Sequence, residues 1–185
     1  NYFQRQFDRW SSQYHASELT PIAEMDELIK WLSENIPDDD GKVALVHGDY
    51  RLDNLMFSKD NHRVIAVLDW ELSTLGHPYA DLAYQCMGMR LPAADKQGRS
   101  SGLLGMDPAA LGIPSEQDYV AKYCQRRGID AIGNWSFYLA FSFFRLAAIC
   151  QGVAKRAVDG NASSKAAGGV GAMVQPLSSM ALTII

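Results

Sequence analysis

The stretch VALVHGDYRLDNLMFSKDNHRVIAVLDWE, residues 43–71, decides how this chain is read. Val43–Val46 makes a short apolar strand that runs into a polar loop carrying His47, Asp49 and Asn54. Leu55–Phe57 and Val64–Leu68 are apolar runs on either side of Lys59-Asp60-Asn61-His62. Turn formers between two such runs predict a β-hairpin. The hairpin returns Asp69, at the end of its second strand, to the side of Asn54, just before its first. Asp49, Asn54 and Asp69 then converge at the mouth of one small sheet.

Phosphoryl transfer needs that set. Mg²⁺ takes oxygen ligands, commonly only one or two of them from protein, and Asn54 and Asp69 can supply two. Asp49, ahead of Asn54 in the same loop, can accept the proton of an attacking hydroxyl and orient it in line. Asp and Asn also cap turns without any chemistry, but turn capping alone does not require Asp69. The pattern His47-x-Asp49-x4-Asn54 followed by Asp69 matches the catalytic loop and metal-binding acid of kinases. Spelled HGDYRLDN, with DWE in place of the protein-kinase DFG, it resembles the aminoglycoside phosphotransferase-like (choline-kinase-like) family. It is most similar to the kinase-like domains fused to acyl-CoA dehydrogenases. The likeness extends through Gly76-His-Pro-Tyr-Ala-Asp81-Leu-Ala and Asp159-Gly-Asn-Ala-Ser163, and so covers nearly the whole chain.

The resemblance implies roles for further residues. Arg51 stands two residues after Asp49, where protein kinases carry a lysine that neutralises the transferred phosphate. It either stabilises charge in the transition state or is an exposed loop arginine. His47 orients the loop through hydrogen bonds rather than carrying a proton, and Trp70 packs. Glu71 reaches a second metal or braces the loop. Asp81, by resemblance, braces the loop through its backbone amides; the alternative is an ordinary first-turn acid favoured by the helix dipole.

Length and composition agree with one domain. The 185 residues, 48% hydrophobic, suffice for a sizeable core. Cys86, Cys124 and Cys150 are far apart and odd in number, with neither disulfide nor metal-ligand spacing, which points to a reducing, cytoplasmic compartment. The first residues show no signal-peptide pattern. The longest apolar stretch, Phe137–Cys150, is too short to span a bilayer and contains Arg145, so no membrane partner is expected. The basic residues are scattered and the aromatics follow core patterns, which excludes a nucleic-acid signature. Residues 1–89 carry 7 basic and 15 acidic side chains, residues 90–185 carry 10 and 6. In the resembled family the later helices form much of the acceptor site. Their basic balance suits an anionic acceptor such as a hydroxyacyl-CoA better than a polycationic aminoglycoside; a solvated basic surface is the plainer alternative.

Along the chain, residues 2–16 read as an amphipathic helix. Thr20-Pro21 reads as a cap and first-turn proline opening a second helix to about Asn35. Leu72–Pro78 reads as loop, and Asp81 opens a helix to Met89. Residues 92–114 form a long loop that lines the acceptor pocket or acts as a flap. Ser115-x-x-Asp118 opens a helix ending near Gly128. The longest helix runs from about Asn134 to Val158, and its Arg145 needs a core acid or an anionic substrate. Residues 166–185 form a last helix, weakened by glycines and kinked at Pro176.

The expected fold is therefore α+β, mostly α: a protein-kinase-like C-terminal lobe whose small hairpin sheet carries the catalytic loop. Residues 1–185 form one such lobe, with N-terminal helices to 42, the catalytic segment 43–71 and a helical acceptor-side subdomain from 72. No Gly-x-Gly-x-x-Gly precedes the loop, and the 46 residues before His47 are mostly helical in pattern, so a nucleotide lobe is expected to be absent from the sequence. The implied function is ATP- and Mg²⁺-dependent phosphorylation of a small-molecule hydroxyl, with the isolated lobe inactive until a nucleotide lobe completes it. A non-catalytic module binding an acyl-type or nucleotide ligand is the alternative. A metal-dependent hydrolase is less consistent, because the extra carboxylate and His ligands of two-metal sites are missing.

Overall fold

The computed structural model describes residues 1–93, 102–161 and 167–185. The chain forms two compact units, one from residues 1–42 with 136–185, the other from residues 43–135.

The first unit is helical. Asn1 caps α1, Tyr2–Ser17, by accepting from the backbone amides of Phe3 and Gln4. The apolar stripe of α1 buries Phe3, Phe7 and Tyr14. Phe3 lies edge-on to Phe137 and Phe141 of α5, Trp135–Val158, at centroid distances of 5.6 and 5.4 Å. The second helix, α2, spans Ala23–Glu34, and extended Ile22 occupies its cap position. Thr20 and Pro21 thus precede the helix rather than open it. Glu24 and Asp26 supply the first-turn negative charge that a side-chain cap would otherwise assist. Buried Gln151 donates to the Ser17 carbonyl at 2.8 Å, satisfying the last turn of α1.

By length and composition α5 could cross a membrane, but 72% of its apolar window is buried within the protein, as in a core helix. Its Arg145 guanidinium stands 5.5 Å over the Trp10 ring. The expected final helix is two: α6, Ala167–Val170, and α7, Val174–Leu182, joined by a 3-10 turn at Gly171–Met173. The break falls just ahead of Pro176, which sits in the first turn of α7, where its missing N–H has no intrahelical partner to lose.

The second unit carries the short strands. β1, Ala44–Val46, pairs antiparallel with β4, Thr74–Gly76; β2, Leu55–Phe57, pairs antiparallel with β3, Val64–Val67, with a bulge at Met56/Phe57. The hairpin is the expected one, but the strands make two two-stranded sheets rather than one. Leu72–Pro78 is not all loop, since β4 lies within it. Helix α3, Tyr79–Arg90, follows, then α4, Glu116–Arg127. Ser115 caps α4, accepting from Asp118 N–H at 3.1 Å, and Gly128 ends it at a φ of 66°. Residues 94–101 of the expected long loop, and Ala162 and Ser163 of the late motif, lie outside the described residues.

Glu116 ties the start of α4 to its neighbours. Arg90 grips it with two bonds, 2.5 and 2.9 Å, and Trp135 Nε1 donates to it at 3.0 Å. Burial pushes the Glu116 carboxyl up, but the bonds from Arg90 and Trp135 outweigh it and hold the group below the usual carboxylate value of 4.5. A lowered folded pKa means stability that is full above the unfolded value and lost as pH falls through the folded one. Glu116→Gln is therefore expected to flatten the acid limb of stability between about pH 5 and pH 3, read as melting temperature against pH. An unchanged acid limb would contradict this.

Candidate active site

The loop after β1 is held from below by one carboxylate. Asp81, in the first turn of α3, accepts from His47 N–H at 2.6 Å and from Gly48 N–H at 2.9 Å. One side chain thus fixes two consecutive amides at the point where the chain leaves the strand. Asp81→Ala strands both amides beside buried His47 and is expected to cost about 2–4 kcal/mol, measured by urea denaturation; Asp81→Asn, which keeps one acceptor oxygen, loses less.

His47 is 2% exposed and ties two segments together. Its Nδ1 accepts from Asp49 N–H at 3.2 Å, so Nε2 carries the hydrogen and donates to the Leu68 carbonyl at 2.8 Å. The Trp70 ring lies 4.7 Å from the imidazole, and Trp70 Nε1 donates to the Val67 carbonyl at 2.8 Å. The loop carrying Asp49 and the segment leading to Asp69 therefore share one buried ring.

Asn54 closes the arrangement. Its Nδ2 donates to both the backbone carbonyl and the Oδ2 of Asp49, each at 2.9 Å. That commits the amide nitrogen and turns the side-chain oxygen of Asn54 elsewhere. The Asn54 carbonyl accepts from Leu68 N–H at 2.8 Å, which brings the residue before Asp69 against Asn54. Asp69 itself is left-handed, at φ 63° and ψ 55°, with an exposed side chain that caps no helix. A non-glycine residue in that region is sparse in proteins, although Asp and Asn tolerate it best. Strain of this kind collects at working sites.

Arg51 pairs with Asp53, giving Nε at 2.9 Å and Nη2 to the same carboxylate oxygen. Burial pulls the guanidinium down, but Asp53, then Asp49 and Tyr84, hold it above its ordinary value. Glu71 is exposed in the 3-10 turn Trp70–Leu72. Asp49, Asn54, His47 and the segment bearing Asp69 are thus brought together by hydrogen bonds, with Asp81 beneath them. Asp53 is the residue the sequence reading missed. Its signal was an opposite charge two positions from Arg51 in the loop.

On α4, burial pushes the Tyr119 phenol up, with smaller contributions from Cys86 and from Tyr50, the neighbour of Asp49, and Arg126 opposing them. Among the described residues no group of three His, Cys, Asp or Glu side chains could hold a metal ion. Asn54 and Asp69 each carry a side-chain oxygen of the kind Mg²⁺ takes, one or two from protein being usual beside phosphates and water.

Comparison with known proteins gives one consistent picture. The model of the phosphotransferase enzyme family matches residues 1–111. The chain is 46% identical over 181 residues to mouse acyl-CoA dehydrogenase family member 10, covering 98% of this chain and 17% of that protein. It is 44% identical over 185 residues to mouse family member 11, covering 99% of this chain and 23% of the relative. A solved Ralstonia eutropha structure, assigned by name to the aminoglycoside phosphotransferases, superposes with a TM-score of 0.89 at 50% identity. That match takes in 100% of this chain and 55% of the other.

Proposed function

This chain belongs to the phosphotransferase enzyme family, and from that premise we propose that it is the catalytic and acceptor lobe of an ATP- and Mg²⁺-dependent kinase acting on a small-molecule hydroxyl. The observation that carries the reading is Asn54 holding Asp49 through its amide while its own backbone holds the segment leading to Asp69. Asp49, steadied through one carboxylate oxygen, keeps the other for the acceptor hydroxyl, which it orients and deprotonates. Asn54 and Asp69 are the residues that would hold Mg²⁺. The ion, when bound, neutralises charge on the phosphates. His47 and Asp81 keep the loop rigid, so that little reorganisation accompanies the transfer.

A nucleotide lobe is the partner this reading requires. Leu45, Leu52, Ile65, Leu72 and Leu75 are exposed on or beside the short strands. Apolar side chains so concentrated in one segment support a covering surface, and we assign that cover to the lobe that encloses the nucleotide in kinases. The protein complete with that lobe is the active species. Free, buried cysteines support a reducing, cytoplasmic setting.

The acceptor is anionic in this proposal, a hydroxyacyl-CoA rather than an aminoglycoside. Lys122, Arg126 and Arg127 make the C-terminal half of α4 basic. The names of the mouse relatives, acyl-CoA dehydrogenase family members, point the same way. The test is ³¹P NMR of the lobe-complete protein with Mg²⁺·ATP and a short hydroxyacyl-CoA. A new phosphate ester with ADP is expected. An ester formed only on an aminoglycoside would overturn the acceptor, and none on any hydroxyl the function. Ligand binding that persists in the Asp49 and Asp69 variants, with no phosphate transfer by the lobe-complete wild-type protein, would favour a non-catalytic binding module.

A further inference from the structure

Asp53 has no part in the chemistry above, yet it grips the cation that follows the base. Both Nε and Nη2 of Arg51 meet one oxygen of Asp53, Oδ2. Arg51 occupies the cap position of the 3-10 turn Leu52–Asn54, and Asp53 is the middle residue of that turn. That turn closes through Asn54 N–H to the Arg51 carbonyl at 3.0 Å, and Asn54 at its far end holds Asp49. With Nε and Nη2 engaged, the guanidinium keeps Nη1 for another anion, and Asp49 lies within its electrostatic reach. The two side chains are 50% and 60% exposed, so the ion pair adds little to stability. What it adds is orientation. A long arginine pinned through two nitrogens has already lost the freedom that binding a phosphate would otherwise remove.

We propose that Asp53 is a positioning residue: it holds Arg51 so that the open edge of the guanidinium meets the phosphoryl group as it passes to the hydroxyl at Asp49. The inference rests on the phosphotransferase reading above.

The test is ADP release from Mg²⁺·ATP by the lobe-complete protein in the presence of a short hydroxyacyl-CoA. In Asp53→Asn, kcat should fall about tenfold or more while KM for ATP moves less than about twofold, with an unchanged melting temperature. Asp53→Glu should recover part of kcat. Adding Asp53→Asn to Arg51→Ala should lower kcat no further, because nothing is left to position. Wild-type kcat in Asp53→Asn, or losses that simply add in the double variant, would overturn the positioning role and leave the phosphotransferase reading standing. No ADP release by the wild-type protein with any hydroxyl acceptor would overturn both.

Discussion

Asp49→Ala in the lobe-complete protein is expected to lower kcat by about 10²- to 10⁴-fold, the usual contribution of a positioned general base. The fold should not follow. The carboxylate of Asp49 takes one bond from Asn54, but the backbone contacts of the loop do not depend on it. Asp49 N–H still reaches His47 Nδ1, Asn54 Nδ2 still reaches the Asp49 carbonyl, and Asp81 still holds the amides of His47 and Gly48. Steady-state kinetics beside a thermal melt separate the two effects. Near-normal turnover in this variant would remove Asp49 as the base.

Gly48→Ala is expected to do the reverse, damaging the fold first. Gly48 has a φ of +88°, a conformation L side chains rarely adopt. A Cβ there would stand 2.7 Å from the Leu72 carbonyl oxygen and 3.1 Å from Leu72 Cβ. The first neighbour is backbone, the carbonyl of the last residue of the 3-10 turn Trp70–Leu72, so it cannot swing aside as a side-chain tip would. Strained backbone and overpacking together should cost about 2–5 kcal/mol, or roughly 5–15 °C in melting temperature. An unchanged melt would mean that the close approach of loop and turn is not kept in solution.

Much of the site could be read from residues 43–71 because its signals are local. The hairpin follows from two apolar runs and a polar turn, and the spacing of Asp49 and Asn54 is set within one loop. Asp81 was reachable only through resemblance, since nothing in a first-turn acid says that it will hold two amides of a distant loop. The pairing of β1 with β4 was not legible. Three residues on each side, Ala44–Val46 and Thr74–Gly76, are too few to show a strand period, and their partnership is long-range. The start of α2 was misread because Thr20-Pro21 carries the usual cap chemistry while the backbone stays extended through Ile22. The left-handed turn at Asp69 was hidden as well, because an aspartate after an apolar run looks the same whether the strand continues or turns sharply.

The central claim is that Asp69 and Asn54 hold the metal of a nucleotide site, and isothermal titration of the lobe-complete protein with ATP, with and without Mg²⁺, tests it most directly. The control is Asp69→Asn, because asparagine accepts the left-handed backbone while lacking the charge. The account predicts Mg²⁺-dependent binding in the wild type that disappears in the variant, both proteins melting alike. Equal Mg²⁺-dependent affinity in the two proteins would contradict it.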